Sequence, residues 1–139
     1  MVRKTQEGFP WHYRIVRGAD YRSVYSAGHK HHSGRFVLFG KENQLGHHRL
    51  GITVSRKVGS AVVRNRTKRL FREIFRKSLA AIPDSLDLVV NAKRECAAAV
   101  YRDLREEFLA AAARLGRQIE ADKLNKNKVL QDLPAAEEE

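Results

Sequence analysis

The chain carries a single cysteine, Cys96, so no disulfide can close within it. A reducing, cytoplasmic setting is the simple expectation. With no histidine close in sequence to activate it, Cys96 reads as a packing residue. No apolar run approaches the roughly 20 residues of a membrane-spanning helix, so no membrane partner is expected. The opening M-V-R-K-T-Q-E-G-F-P lacks the apolar core of a secretory signal. No Ser/His/Asp arrangement, no carboxylate pair in an apolar setting and no carboxylate cluster for two metals is apparent. No catalytic residue is therefore assigned, and neither a small-molecule substrate nor a protein-only nuclease is expected. Six histidines are present: His12, His29, His31, His32, His47 and His48. No cysteine accompanies them and no H-x₃-H helix pair occurs, so no metal site is expected on the protein. They read as solvent-facing loop residues. Acids are scarce: 16 Asp and Glu face 27 Lys and Arg, for a formal net charge of +11.

That charge is concentrated. Residues 54–77 read V-S-R-K-V-G-S-A-V-V-R-N-R-T-K-R-L-F-R-E-I-F-R-K, with nine basic residues and one acid, Glu73. A stretch carrying most of the net charge is a candidate binding surface. Ser60 can cap a helix, and no Gly or Pro follows Ala61 until Pro83, so about five turns are allowed. At 100° per residue, Val63, Thr67, Leu70, Phe71 and Ile74 share one face. Asn65, Lys68, Arg69, Arg72 and Arg76 share the other, with Arg64 and Arg66 at the borders. A basic face is often only a solvated one. Here a single acid leaves little pairing, and like charges at i,i+4 repel by a few tenths of a kcal/mol each. Such a face points to an anionic partner, and the pattern to nucleic acid.

The rest of the chain is consistent with one α+β domain. At 139 residues, 42% of them hydrophobic, it has length for a real core. Residues 1–13 form an N-terminal extension without periodicity, although Phe9, Pro10 and Trp11 make it more than a plain tail. Residues 18–27 predict a short helix ended by Gly28, with Tyr21, Val24 and Tyr25 on one face. That face suits a buried stripe, or a groove where tyrosines stack on unpaired bases. Residues 29–40 lead into a strand at Arg35 to Phe39. Polar residues 42–46 predict a hairpin turning near Asn43. Residues 49–55 alternate, with Leu50, Ile52 and Val54 on one side and Gly51, Thr53 and Ser55 on the other. After the basic helix come a turn at Pro83, Asp84 and Ser85, a strand over 86–92, and a second long helix over 97–115 that Gly116 can end. A single nucleic-acid-binding domain over 14–116 is expected. Residues 117–139, closed by Glu137 to Glu139, predict a mostly disordered tail, with some helix allowed near Gln118 to Leu124.

One resemblance is specific. Ser55-Arg56-Lys57-Val58-Gly59, then Ala61-Val62-Val63-Arg64-Asn65-Arg66-Thr67-Lys68-Arg69, then Arg72, resembles the signature of the bacterial ribonuclease P protein component. The likeness covers about residues 14–115 and is densest over 49–72. It makes the domain over 14–116 an RNA-binding one and implies a small α/β sandwich, with one central sheet and helices packed on it. The implied fold is similar to domain 2 of ribosomal protein S5, with a left-handed βαβ crossover. It implies a protein subunit that assists RNA-catalysed, Mg²⁺-dependent endonucleolytic removal of the 5′ leader from precursor tRNA. The Mg²⁺ would act through the RNA subunit, with no cofactor on the protein alone. The implied partners are the ribonuclease P RNA and precursor tRNA. Arg64, Asn65, Arg66, Lys68, Arg69, Arg72 and Arg76 would bind the RNA subunit. Tyr21, Tyr25, Phe36, Ser55, Arg56 and Lys57 would hold the leader. The family usually has Phe where Tyr21 stands. Two other readings fit the charge: a ribosome-associated RNA-binding protein without an enzymatic partner, and a DNA-binding module. The S-R-K-V-G and R-N-R stretch and the paired tyrosines argue against the first. Arginines spread around three sides of the helix argue against the second.

Overall fold

Local sequence accounts for most of the elements. The computed structural model describes residues 9–82 and 85–131. The expected turn residues Pro83 and Asp84 and the acidic end at Glu137 to Glu139 lie outside them. Gly18–Ala27 forms α1, and the N–H of Gly28 closes it on the Val24 carbonyl. His29–His32 forms β1, Phe36–Glu42 forms β2 and Arg49–Val54 forms β3. Ala61–Lys77 forms α2, capped by the Ser60 hydroxyl, which accepts from the Val63 N–H at 3.4 Å. Leu86–Ala92 forms β4 and Tyr101–Gln131 forms α3. Short 3₁₀ turns occupy Trp11–Tyr13, Leu79–Ala81 and Arg94–Ala98.

The strands form one mixed sheet of order β1-β2-β4-β3. β2 pairs antiparallel with both β1 and β4, while β3 pairs parallel with β4. α2 makes the crossover between the parallel pair. The hairpin expected to join β2 to β3 near Asn43 does not form, because β4 lies between them. The first five residues of β4 are all buried. Such a strand, apolar and buried on both faces apart from the one carboxylate of Asp87, needs neighbours on both edges and cover on both faces. β3, with Gly51 and Thr53 on one side, takes the edge. The 43–48 segment instead crosses the end of β4. Asn43 donates its backbone N–H to the Ser85 carbonyl at 3.0 Å and its side-chain amide to Asp87 at 2.7 Å. The histidines at 29, 31 and 32 are also relocated, from a loop into β1. Residues 29–32 read His-Lys-His-His and have no apolar alternation to announce a strand.

Side-chain alternation divides the sheet. Phe36, Leu38, Leu50, Leu88 and Val90 point toward α2 and α3, where they join Phe71, Ile74, Phe75, Leu104, Phe108 and Leu115 in the main core. Phe36 meets Phe71 edge-on at 5.3 Å. Each fully buried side chain of this size contributes about 1.5–3 kcal/mol. On the opposite face α1 covers a smaller cluster of Ile15, Val24 and Val89, with Tyr21 and Phe39 packed beside it.

α3 does not end at Gly116 but continues to Gln131, which corrects the expected tail over 117–131. A mid-helix glycine disfavours the helix by about 1 kcal/mol. Burial of Ile119 against the core offsets that amount. Two side-chain contacts add to the hold: the ion pair of Lys123 with Glu42 at 2.9 Å, and the His29 ring against the Asp122 carboxylate at 2.8 Å.

Candidate nucleic-acid interface

The charge pattern of α2 is sorted by what its neighbours leave free. Thr67, Phe71, Ile74 and Phe75 turn into the core. Arg66 turns to one flank, where its guanidinium donates to the carbonyls of Ala97 at 3.4 Å and Ala99 at 3.1 Å. It thereby ties α2 to the segment before α3. Arg64 folds back onto the Gly59 carbonyl at 2.9 Å. Arg76 and Lys77 share Glu73, at 2.7 and 3.0 Å. Their hydrogen bonds hold the Glu73 carboxyl below its usual range, Lys77 contributing most. Among the described residues, Asn65, Lys68, Arg69 and Arg72 make no hydrogen bond or ion pair within the chain. Asn65 and Arg69 face outward. Lys68 and Arg72 stand on the other flank, beside α1.

That flank is one wall of a groove of about 320 Å³, lined by Tyr21, Gly51, Ile52, Arg14, Lys68 and Arg72 among others. Gly51 explains how Tyr21 lies so close to the sheet. A Cβ on Gly51 would stand 2.7–2.8 Å from Cε1, Cζ and Oη of the Tyr21 ring. Burial raises the Tyr21 phenol pKa, opposed by a backbone hydrogen bond at Ile52. Arg72 is pushed down from its usual range, first by burial and then by the charge of Arg14. It stays protonated, as a guanidinium does in proteins. Two cations crowded without a carboxylate between them are stabilised by an incoming phosphate.

Tyr25 stands one turn further along α1, 6.5 Å from Tyr21 between ring centroids. Its hydroxyl donates to Asn91 Oδ1 at 2.8 Å and lies 3.3 Å from Thr53 Oγ1. Its ring rests edge-on against Phe39 at 4.8 Å. Phe36, expected beside the tyrosines, is fully buried and belongs to the opposite face of β2. The two phenylalanines are an odd number of residues apart and so face opposite sides of the sheet, and it is Phe39 that supports the tyrosine. Ser55, Arg56 and Lys57 are exposed in the loop from β3 to α2, and buried Val58 anchors that loop. The Ser55 hydroxyl accepts the Lys57 N–H at 3.3 Å.

Several groups were not singled out from the sequence: Arg14, Phe39, Thr53 and Asn91. Asn91 carried a faint signal as a polar residue within an apolar strand. Arg49 also emerges, since its guanidinium forks onto Asp87 at 2.9 and 2.7 Å and reaches Asp20 at 3.4 Å. It locks β3, β4 and α1 beneath the groove. Cys96 is buried and donates to the Arg35 carbonyl at 3.1 Å. Burial pushes its thiol up to about 11. Among the described residues, no group of three or more His, Cys, Asp or Glu could hold a metal ion. No helix among them is long and apolar enough to cross a membrane.

Comparison with known proteins is consistent along the whole domain. The family model described as Ribonuclease P matches residues 9–116. The ribonuclease P protein component of Streptococcus pneumoniae (strain Hungary19A-6) is 31% identical over 97 residues, spanning 70% of this chain and 79% of the relative. A solved structure of the Staphylococcus aureus RNase P protein superposes with a TM-score of 0.66 at 33% identity, over 71% of this chain and 91% of that one. The RNase P protein from Thermotoga maritima does so with a TM-score of 0.66 at 31% identity, over 75% and 96%.

Proposed function

The chain belongs to the ribonuclease P protein family, subunits of the ribonucleoprotein endoribonuclease that processes tRNA 5′ ends, and from that premise we propose how its surface is divided. Its family partner is the ribonuclease P RNA. The outward side of α2 docks on that RNA through Asn65, Arg69 and Arg76. Arg64 and Arg66 take part with the N–H groups their backbone contacts leave over. A guanidinium meets phosphate oxygens through two parallel bonds, and Asn65 both donates and accepts. Lys68 and Arg72 stand where the docked RNA subunit and the substrate meet. The groove beside them takes the single-stranded 5′ leader of precursor tRNA. Tyr21 and Tyr25 offer stacking surfaces, and Ser55, Arg56 and Lys57 lie at its further end. Phe36 has no part in it.

In this reading the protein supplies no reacting group. The RNA subunit holds the Mg²⁺ that directs water at the phosphodiester 5′ to the mature tRNA. The cations of α2 screen phosphate repulsion between substrate and catalyst, which lowers the Mg²⁺ concentration required.

The observation that carries the proposal is the set of unpaired side chains on α2: Lys68 and Arg72 line the Tyr21 groove, while Asn65 and Arg69 are exposed on the outward side of the same helix. Reconstitution tests it. The protein is mixed with a bacterial ribonuclease P RNA and a precursor tRNA, at a Mg²⁺ level where the RNA alone is nearly silent. Accurate 5′ cleavage that depends on the protein is expected. Tyr21→Ala/Tyr25→Ala loses affinity only for long leaders, and Asn65→Ala/Arg69→Ala loses it regardless of leader length. Binding to ribosomal RNA with no stimulation of cleavage would refute the proposal.

A further inference from the structure

The Tyr21 groove has a neighbour. Arg14 and Val16 also line a second cavity, of about 360 Å³, on the other side of the N-terminal segment. Its walls include Trp11, His47, Leu45 and Arg17. Trp11 is 75% exposed, and no other ring packs on it among the described residues. The backbone that carries it is nonetheless fixed. Phe9 and Tyr13, two residues to either side, turn inward onto Phe75 at 5.7 and 6.2 Å. The Arg14 N–H closes on the Trp11 carbonyl at 3.0 Å, and the Ile15 N–H pairs with Leu50 at 3.0 Å. The His47 ring reaches the His12 carbonyl at 3.1 Å. A large aromatic held out to solvent on an anchored turn is a stacking platform rather than a core residue that missed its place.

The charge beside this platform is also unpaired. Arg49 lines the cavity but is already neutralised by Asp87 and by Asp20, the one acid in the wall. Arg17 makes no ion pair among the described residues. The Arg14 guanidinium donates to the Phe9 carbonyl at 3.3 Å and lies over the Phe9 ring at 5.5 Å, but makes no ion pair among the described residues. An apolar ring flanked by two such guanidiniums matches a nucleotide, with the base on the ring and the phosphate on the cations.

We infer that the Trp11 cavity is a second nucleotide subsite, taking one further unpaired base of the leader as the strand passes over Arg14 from the Tyr21 groove. This rests on the assignment of the leader to that groove. Trp11 is the only tryptophan in the chain, so its emission reports on this cavity alone. The full chain is assembled with the RNA subunit and titrated with precursor tRNA carrying a leader of either about ten or about three nucleotides, lengths that bracket a single-strand site. Quenching is expected with the long leader only. Trp11→Ala should reduce the ratio of long-leader to short-leader affinity by about tenfold, within the range for loss of one stacked base. Trp11→Phe should retain most of that ratio. Arg17→Ala should lower the salt dependence of long-leader binding by about one counterion.

Unchanged emission with the long leader, while Tyr21→Ala/Tyr25→Ala still loses long-leader affinity, would overturn the subsite and leave the groove intact. Quenching by the RNA subunit before any precursor is added would also overturn it, giving the cavity to that RNA. If the tyrosine variants bind long and short leaders as wild type does, the groove assignment itself falls and this extension with it.

Discussion

Replacing Gly51 with alanine should couple stability and leader binding through one contact. The added methyl carbon would stand 2.7–2.8 Å from three atoms of the Tyr21 ring, about 1 Å inside normal carbon contact. Something must move, and the choices are unequal. Gly51 sits in β3, paired with Val89 of central β4, so the backbone is held. Tyr21 is half-buried at the end of a flexible side chain, so the ring swings outward. Overpacking of this kind costs about 1–3 kcal/mol, and a ring free to move toward solvent places the loss near 1. For a domain of this size that is a drop in Tm of roughly 4 °C. Displacing the ring also spoils the groove, so long-leader affinity should fall by about as much as in Tyr21→Ala, on the order of tenfold. A double-mutant cycle isolates the cause. In a Tyr21→Ala background the methyl has room, so Gly51→Ala should cost almost nothing further in Tm or in affinity. Equal costs in the two backgrounds would show that the methyl acts elsewhere, and the packing argument would be wrong.

Two further outcomes follow from the same geometry. Arg66 and Arg69 are neighbours in the signature but should separate on mutation. Arg66→Ala, which frees the carbonyls of Ala97 and Ala99, should lower stability by about 1–2 kcal/mol in urea unfolding. Arg69→Ala should leave unfolding unchanged and reduce the salt slope of RNA binding by about one. The Cys96 thiol, raised from 9.0 to about 11 by burial, remains protonated in the folded protein after the unfolded chain has released its proton. Stability from this group is full below about 9 and declines as pH rises toward about 11. Alkylation at pH 8 should therefore track unfolding, and rapid labelling of the folded protein would contradict the burial.

Much of the interface was legible because its signals are local. The helix at 61–77 follows from the Ser60 cap, the lack of Gly and Pro, and the apolar positions Val63, Leu70, Phe71 and Ile74 on one face. α1 follows from the spacing of Tyr21, Val24 and Tyr25 and from Gly28. Errors arose where a partner distant in sequence decided. Phe36 and Phe39 both belong to an apolar strand, and only its pairing with β4 shows which of them lies under Tyr25. β1 has no apolar alternation, because an edge strand of histidines is held by backbone pairing to β2 and by the His29 contact with Asp122 of α3. Gly116 looked like a stop, but the burial of Ile119 three residues later outweighs the glycine.

The sequence by itself determined that this protein carries a densely cationic helix and two aromatics four residues apart. Charge and helical period are properties of consecutive residues. It also determined the family, since the S-R-K-V-G and R-N-R signature is read residue by residue. Only the tertiary structure decided which cations remain free. Arg66 is occupied by carbonyls some thirty residues away, whereas Lys68 and Arg72 are turned toward Tyr21. It also placed Arg14 and Val16 in the walls of two cavities, one beside Tyr21 and one beside Trp11. Both depend on side chains brought together across the sheet, where packing and backbone pairing set the neighbours and chain order does not.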